Sequence, residues 1–268
     1  MPFVNEYQPG TPCWVDLATT DLAGAREFYS GLFGWDFVDE QMGEMGIGTY
    51  SMAMIDGVPT AAVYGLGPGQ LRQAAGPGWN VYVSVDDIEE TLGRARNSGG
   101  AVHAGATEVD RAGKVAVIAD PTGCTTTLWE PGEFAGSGVR AEFGAFTWPE
   151  HLSTDSRRSV KFYEQVFGVE TETQADIEVE EYTVLSVGGI GVGGVMQMPE
   201  EMMAEGVESE WYVYFQVGSL DDSAEYVRNQ GGRLMAEPLD VPEVGRIVVA
   251  RDPQGADFCI VEPLGRTS

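Results

Sequence analysis

The chain has 268 residues, of which 43% are hydrophobic, so it is long enough to bury one large core or two smaller ones. Its 15 basic and 42 acidic residues give a net charge of −27, which repels phosphate backbones and anionic lipid surfaces and argues against nucleic acid or a membrane as a partner. There is no N-terminal signal pattern, and the three cysteines are scattered outside any CxxC pair. We therefore expect a cytoplasmic protein without a disulfide framework.

In the first half, residues 13–19 have the length and alternation of a strand. Asp21 stands where an N-cap is expected, before LAGAREFYSGLF, whose apolar residues recur at helical spacing, and Gly34 is the expected end of that helix. A hairpin is predicted over residues 50–63. WNVYVSV then predicts a strand that leads into a helix ending at a double glycine, and KVAVIADPTGCTTTLWEP predicts two strands joined by a turn.

The second half repeats this order. WVDLATTDLAGAREFYSGLFGW, which begins at Trp14, is matched by WPEHLSTDSRRSVKFYEQVFGV, which begins at Trp148, and WNVYVSV is matched by WYVYFQV. A strand over residues 146–152, an N-cap at Asp155 and a helix end at Gly168 are therefore predicted, followed by a second hairpin and by DPQG in the place of DPTG. Such repetition over most of each half predicts two tandem copies of one module.

The predicted boundaries follow from the repeat. The first module spans residues 1–130, a Gly-rich polar linker on the surface spans 131–143, and the second module spans 144–268. The segments 36–48 and 196–210 have no strong periodicity and are predicted to be loops that determine specificity.

The order of these elements, with FYxx(L/V)FG, DPxG and GG each present twice, resembles the vicinal oxygen chelate (glyoxalase/bleomycin resistance protein/dioxygenase) superfamily. The resemblance covers nearly the whole chain. It implies an α+β fold of two tandem βαβββ modules, whose sheets form paired half-barrels around cups for small ligands. The opening EYQPGTPCWVDLATTD further resembles actinobacterial tandem proteins described as glyoxalase-like or as hydroxylases, but a fold alone does not determine a reaction.

Metal-dependent members of that superfamily carry His, Gln or Glu on the first strand, His or Glu on the strand before the second helix, and Glu four residues after the DPxG glycine. At the corresponding positions this sequence has Trp14, Asn80, Thr127, Trp148, Tyr212 and Cys259. Indole does not bind metal, and this set is no ordinary site for iron, manganese, nickel or zinc. We therefore predict no metal and no other cofactor.

Two histidines are present, His103 and His151, and they occupy non-equivalent places in the repeat. A metal pair of Cys259 with His151 is the alternative that the composition leaves open. A small cysteine on a strand is more typical of a core.

A Trp-x-acid pair is repeated on the first strand of each module. Trp14 and Asp16 share one face of that strand, and Trp148 and Glu150 share the matching face. Aromatic planes stack on flat ligands, and carboxylates accept hydrogen bonds from hydroxyls and amines. We predict ligand contacts for the two tryptophans and acid–base catalysis for the two acids, with core packing as the alternative for the tryptophans.

Ligand contacts are also predicted for four residues at positions that correspond to metal ligands in the family, Asn80, Thr127, Tyr212 and Cys259. The repeated pair Trp79 and Trp211 is a further candidate for ligand contact, and core packing is the alternative for this pair.

Three functional hypotheses follow. The first is a metal-independent protein that binds a flat aromatic small molecule or natural product for sequestration, resistance or antibiotic metabolism. The second is a cofactor-independent enzyme of the proton-transfer, isomerase or lyase type acting on a polyketide-like substrate. The third is a metal-dependent dioxygenase or glyoxalase, for which the ligand set is lacking. A monomer or a homodimer is expected, since paired modules already bury the surface that single modules bury by dimerising.

Overall fold

The computed structural model describes residues 4–42, 48–67, 76–174 and 181–265. In the first half the elements are β1 (Pro12–Thr19), α1 (Leu22–Phe33), β2 (Asp36–Met42), β3 (Gly48–Ile55), β4 (Val58–Gly65), β5 (Gly78–Ser84), α2 (Ile88–Asn97), β6 (Ala101–Val109), β7 (Gly113–Ala119) and β8 (Thr125–Pro131).

The second half contains β9 (Phe146–Ser153), α3 (Ser156–Phe167), β10 (Glu170–Gln174), β11 (Tyr182–Val187), β12 (Ile190–Gln197), α4 (Glu200–Ala204), β13 (Glu210–Gln216), α5 (Leu220–Asn229), β14 (Arg233–Leu234), β15 (Leu239–Val241), β16 (Gly245–Arg251) and β17 (Asp257–Pro263).

Each half forms one half-barrel sheet. The first has the strand order β2-β3-β4-β1-β5-β8-β7-β6, and the second has β10-β11-β12-β9-β13-β17-β16-β14, with β15 paired to β16. The α+β prediction of two tandem modules is confirmed. The βαβββ order occurs twice within each half, and the two units of a half are joined by antiparallel pairing of β1 with β5 and of β9 with β13.

The register of the central strands is the same in both halves. Trp14 lies opposite Tyr82, and Trp148 lies opposite Tyr214. On the next strand of each sheet, Tyr82 pairs with Thr127 of β8 and Tyr214 pairs with Cys259 of β17. Thr127 and Cys259 are at positions that correspond to metal ligands in the family. The duplication inferred from sequence is therefore present residue by residue in the hydrogen-bonded ladders.

The predicted helix boundaries are confirmed at the first helix of each half. The carboxylate of Asp21 accepts a hydrogen bond from the Gly24 amide, and Asp155 does the same for the Arg158 amide. Both helices end at a glycine in the left-handed conformation, which L side chains rarely adopt. None of the helices within the described ranges is long and apolar enough to cross a lipid bilayer.

The helices of the two halves pack together between the sheets. The Tyr29 hydroxyl on α1 donates to Asp252 in the DPQG turn at 3.1 Å, and the Ser159 hydroxyl on α3 donates to Asp120 in the DPTG turn at 2.5 Å. The first helix of each half is thereby tied to a turn of the other half, and one continuous core spans both.

The strands that sequence analysis missed lie mostly at sheet edges. Within the predicted loop 36–48, residues 36–42 form strand β2 and residues 43–47 lie outside the described residues. Strands β6 and β10 were missed in the same way as β2. Both faces of these strands are mostly exposed, as in DFVDEQM and ETETQ, so the alternation that identifies a half-buried strand is absent. In the predicted loop 196–210, residues 200–204 form α4.

The segment that joins the halves differs from a surface linker. Ser137 and Val139 are fully buried. The Ser137 amide donates to the carbonyl of Cys13, and the Gly138 amide donates to that of Pro59, both at 2.8 Å. The connecting segment thus packs against the first sheet. The division into modules at 1–130 and 144–268 stays a prediction.

Candidate functional site

The face of each sheet that is turned away from the helices carries its own cluster of aromatic and sulfur-containing side chains. We call these clusters the first cup and the second cup. The first cup is formed mainly by Trp14, Asp16, Tyr50, Met52, Tyr64, Asn80, Tyr82, Thr127 and Trp129. The second is formed mainly by Trp148, Glu150, Tyr182, Met196, Tyr212, Tyr214 and Cys259.

In the first cup, Asp16 is enclosed by hydrogen-bond donors. Its carboxylate accepts bonds from the hydroxyls of Tyr82 (2.5 Å) and Tyr50 (2.9 Å) and from the amide of Asn80 (2.8 Å). Only 1% of Asp16 is exposed. Burial raises the pKa of this carboxyl, and the three hydrogen bonds oppose the rise.

Further aromatic packing closes this cup. The indole of Trp14, which is 3% exposed, donates to the Tyr50 hydroxyl at 2.9 Å and meets the ring of Phe134 edge-on at 5.0 Å. The Trp129 indole donates to the carbonyl of Phe134 at 2.9 Å. The chain that follows β8 is therefore fastened over Trp14, and the Trp-x-acid pair of the first cup is buried and hydrogen-bonded.

The second cup holds the matching pair more openly. Trp148 and Glu150 are both half-buried. Glu150 accepts a hydrogen bond from the Tyr214 hydroxyl at 3.1 Å and is also hydrogen-bonded with Tyr182, whose hydroxyl accepts a bond from the Trp148 indole at 3.1 Å. Burial raises the pKa of Glu150, while hydrogen bonding with Tyr214 and Tyr182 opposes the rise.

The difference between the two acids has an identifiable cause. The residue opposite Asp16 on the neighbouring strand is Asn80, whereas the residue opposite Glu150 is Tyr212. Asn80 donates to the acid, but no hydrogen bond between Tyr212 and Glu150 is formed. Glu150 thus keeps acceptor capacity that Asp16 uses within the protein.

One rim of the second cup is rich in methionine. Met202 and Met203 of the short helix α4 are half-buried and pack against its apolar cluster, as does Met196 of β12. Flexible thioether side chains adapt to ligands of different outline. Of the methionines in the first half, Met42, Met52 and Met54 join the first cup.

The structure places the predicted metal positions on the cup faces, but their side chains do not fit a metal. The set contains indole, amide, hydroxyl and phenol groups and a single thiol, Cys259, whose pKa is raised by burial, so it stays protonated. Within the described residues no group of three His, Cys, Asp or Glu side chains is arranged to hold an ion.

The alternative metal pair is contradicted. Cys259 lies in the second cup, whereas His151 lies on the opposite face of the sheet, where its ring packs against Tyr163 and Trp211. Successive residues of a strand point to opposite faces, so His151 follows Glu150 but turns away from the cup.

Two predicted ligand contacts lie elsewhere in the structure. Trp79 packs against Tyr29 and Phe215 in the core between the sheets, and the indole of Trp211 donates to the Thr126 hydroxyl at 3.0 Å on the same side. The structure does not bring these two tryptophans together with the cup residues. Asn80, Thr127, Tyr212 and Cys259 do lie on the cup faces.

Tyr50 and Tyr182 are cup residues that were not predicted from the sequence. These tyrosines recur at the offset of 132 residues that separates Trp79 from Trp211, and each accepts a hydrogen bond from the cup tryptophan of its half. Their place at the start of each predicted hairpin was the available signal.

Surface depressions occur away from the cups. One of about 550 Å³ is lined by Arg228 and residues 232–237 beside β14, and another of about 110 Å³ lies between the halves near Asp87 and Phe167. Neither brings together aromatic rings and buried acids, so we place the candidate site in the cups.

A fold of paired βαβββ units with cup-forming half-barrels defines a known class, and the chain belongs to it. Residues 13–128 and 150–260 match the Glyoxalase/Bleomycin resistance protein/Dioxygenase superfamily. The chain is 38% identical over 263 residues, 98% of both chains, to the "Putative glyoxylase CFP32" of Mycobacterium tuberculosis. It is 30% identical over 271 residues, 97% of this chain and 95% of the relative, to the "Anthracycline biosynthesis protein DnrV" of Streptomyces peucetius.

Solved structures share the fold at low identity. A Mn(II)-bound glyoxalase from Novosphingobium aromaticivorans superposes with a TM-score of 0.64 at 12% identity, covering 96% of this chain and 83% of the other. The 2,3-dioxygenase LapB from Pseudomonas sp. KL28 gives a TM-score of 0.64 at 13% identity, covering 94% and 91%.

Proposed function

We propose that this protein binds a planar aromatic organic molecule in the second cup, without a metal. The observation that carries the proposal is the inequality of the two cups. Both contain the Trp-x-acid pair, but only Trp148 and Glu150 are partly exposed. The indole offers a surface for offset stacking, and the carboxylate can accept a hydrogen bond from a ligand hydroxyl or amine.

The first cup supports this proposal by contrast. Its acid already accepts three hydrogen bonds within the protein and its tryptophan is covered by Phe134, so the same residues there stabilise the sheet instead of meeting a ligand. We therefore assign Asp16 a structural role and keep Glu150 as the acid that faces a ligand.

The similarity to a protein named for anthracycline biosynthesis agrees with this ligand class. Anthracyclines are fused-ring aromatic molecules, and such rings match a cup walled by Trp148, Tyr214 and the α4 methionines. The proposal extends to a cytoplasmic role in sequestration, resistance or antibiotic metabolism, each of which requires binding of such a ligand.

Isothermal titration calorimetry with fused-ring aromatic compounds tests the proposal. Trp148→Phe should weaken binding several-fold, because replacing the indole with a smaller ring costs on the order of 1 kcal/mol. The matched change Trp14→Phe in the first cup should leave the affinity unchanged. Equal loss in both variants, or binding that survives Trp148→Ala, would place the ligand outside the second cup.

A cofactor-independent enzyme is the second candidate, and the raised pKa of Glu150 favours it. A carboxyl group whose pKa is raised is suited to act as a general base for an acidic C–H or O–H. The hydroxyls of Tyr182 and Tyr214 lie beside it, where they could donate hydrogen bonds to an oxyanion. Exchange of ligand C–H for deuterium in D2O, observed by NMR and abolished by Glu150→Gln, would establish turnover. Binding without exchange would leave the protein as a binder.

A further inference from the structure

The second cup carries charged groups that the first cup lacks, and they lie in one row across four neighbouring strands. When the parallel pairs Tyr82–Thr127 and Tyr214–Cys259 are extended by two residues, Thr125 falls beside Asn80 and Asp257 beside Tyr212. Asp16 and Asn80 of the first half are then followed by Thr125 and Ala119. In the second half the same row consists of Glu150, Tyr212, Asp257 and Arg251. Glu210 lies two residues before Tyr212 and therefore on the same face.

The row contains one cation. The guanidinium of Arg251 makes a bidentate contact with Asp257, whose side chain is 12% exposed, and one of its two bonds measures 2.5 Å. Neither Glu150 nor Glu210 forms an ion pair with any residue in the described ranges. The row together with Glu210 thus holds three carboxyl groups and one guanidinium, so ionised acids there exceed the cations beside the aromatic wall.

The environment of Glu210 is consistent with this excess. Burial and the nearby charge of Asp257 raise the pKa of Glu210, while its hydrogen bond with Tyr212 and the charge of Arg251 oppose the rise. Glu210 and Glu150 are diagonal neighbours across the β9–β13 pair, a separation of about 7–8 Å between such positions. One ammonium group between them would interact with both carboxylates.

We propose that the second cup selects planar aromatic ligands that carry a protonated amine, with Glu150 and Glu210 as the specificity-determining residues. This inference rests on the binding function proposed above. A cation placed between the two carboxylates supplies the charge that the protein lacks there. A neutral ligand of the same shape would keep the stacking but lose these interactions.

Two probes with the same ring system test the inference: 9-(aminomethyl)anthracene and 9-(hydroxymethyl)anthracene. Calorimetry at pH 7 should give an affinity for the amine on the order of tenfold higher than for the alcohol. The ratio should fall as ionic strength rises, because salt screens the charge interaction and not the stacking.

Substitutions locate the effect. Glu150→Gln and Glu210→Gln should each bring the amine-to-alcohol ratio towards one, because each weakens binding of the amine more than binding of the alcohol. Glu208→Gln removes the same charge from an exposed position just before β13 and should leave the ratio as in the wild type. Circular dichroism and thermal melts check that each variant is folded.

The possible failures differ. If the wild type binds the alcohol as tightly as the amine, charge selection is overturned and the binding function stands. If Glu208→Gln lowers the ratio as much as Glu210→Gln, general attraction by the acidic protein accounts for the preference and the site assignment is overturned. If neither probe binds, the proposed function fails together with the inference.

Discussion

The imidazole of His151 lies 4.0 Å from the carboxylate of Asp120, and both side chains are completely buried between the two halves of the protein. Neither ring nitrogen of His151 has a hydrogen-bond partner. Burial lowers the pKa of His151 to about 4, and the charge of Asp120 opposes the shift. The histidine is therefore neutral at pH 7, and its contact with Asp120 is not an ion pair.

This arrangement predicts acid sensitivity. A histidine whose pKa is lower in the folded state than in the unfolded state disfavours folding once it must be protonated. This group therefore leaves the unfolding free energy at its full value above about pH 6.5 and lowers it as the pH falls towards 4. The loss due to His151 is about 2 kcal/mol at pH 5. His151→Leu should remove that loss, because the equivalent residue of the first half is already a buried leucine, Leu17.

Urea unfolding at a series of pH values measures this effect. The difference in unfolding free energy between wild type and His151→Leu should widen between pH 7 and pH 5. His103→Gln alters the other histidine, which is exposed on β6, and should retain the pH dependence of the wild type. Parallel curves for wild type and His151→Leu would contradict the prediction.

The two cup acids should differ in their contribution to stability. Asp16→Ala removes the acceptor of three buried or half-buried donors and should cost about 2–4 kcal/mol of unfolding free energy. Glu150→Ala removes a half-buried acid that is hydrogen-bonded with two tyrosine hydroxyls, those of Tyr214 and Tyr182, and should cost less, about 1 kcal/mol. Denaturant melts of the two variants compare the costs directly. Similar values would mean that Glu150 is as structural as Asp16.

Much of this fold was predictable because the two halves of a duplicated sequence can be compared with each other. The N-caps at Asp21 and Asp155 and the shared face of Trp14 with Asp16 follow from local pattern, and each was repeated. The edge strands β2 and β10 were not predicted, because polar residues on both faces remove the alternation on which strand prediction depends.

The candidate site was predictable only in part. Strand alternation puts Trp79 and Asn80 on opposite faces, so both could not lie in one cup, and that conclusion was available from sequence. The closure of the first cup was not, because it depends on Phe134 folding back over Trp14 from a segment without periodic pattern. Whether an acid is enclosed or open depends on such long-range contacts.

Two glycines of the first half should respond oppositely to alanine. A Cβ at Gly100 would lie 2.5 Å from the ring of Phe162 on α3 and 2.6 Å from the carbonyl oxygen of Ala119, so Gly100→Ala should destabilise by about 1–3 kcal/mol. Gly93 lies inside α2 with open space around it, and Gly93→Ala should stabilise by roughly 0.5–1 kcal/mol. In thermal melts, the Gly100 variant measures how tightly the segment after α2 packs against α3, and the Gly93 variant measures helix propensity alone. A neutral Gly100→Ala would show that the halves adjust at this contact.

The last prediction concerns metal, which a Mn(II)-bound structural neighbour contains. Trp14 and Trp148 cannot coordinate an ion, and burial raises the pKa values of Tyr212 and Cys259, which keeps the phenol and the thiol protonated. Purified protein should therefore hold no stoichiometric iron, manganese, nickel or zinc by elemental analysis, and EDTA should leave its melting temperature and ligand affinity unchanged. An ion that binds the folded state raises the melting temperature as its concentration rises. Mg²⁺ is the control for general screening of the acidic surface. Added Mn²⁺ should therefore shift the melting temperature no more than the same concentration of Mg²⁺. One equivalent of a transition metal, lost together with binding on chelation, would contradict the proposal of a metal-free site.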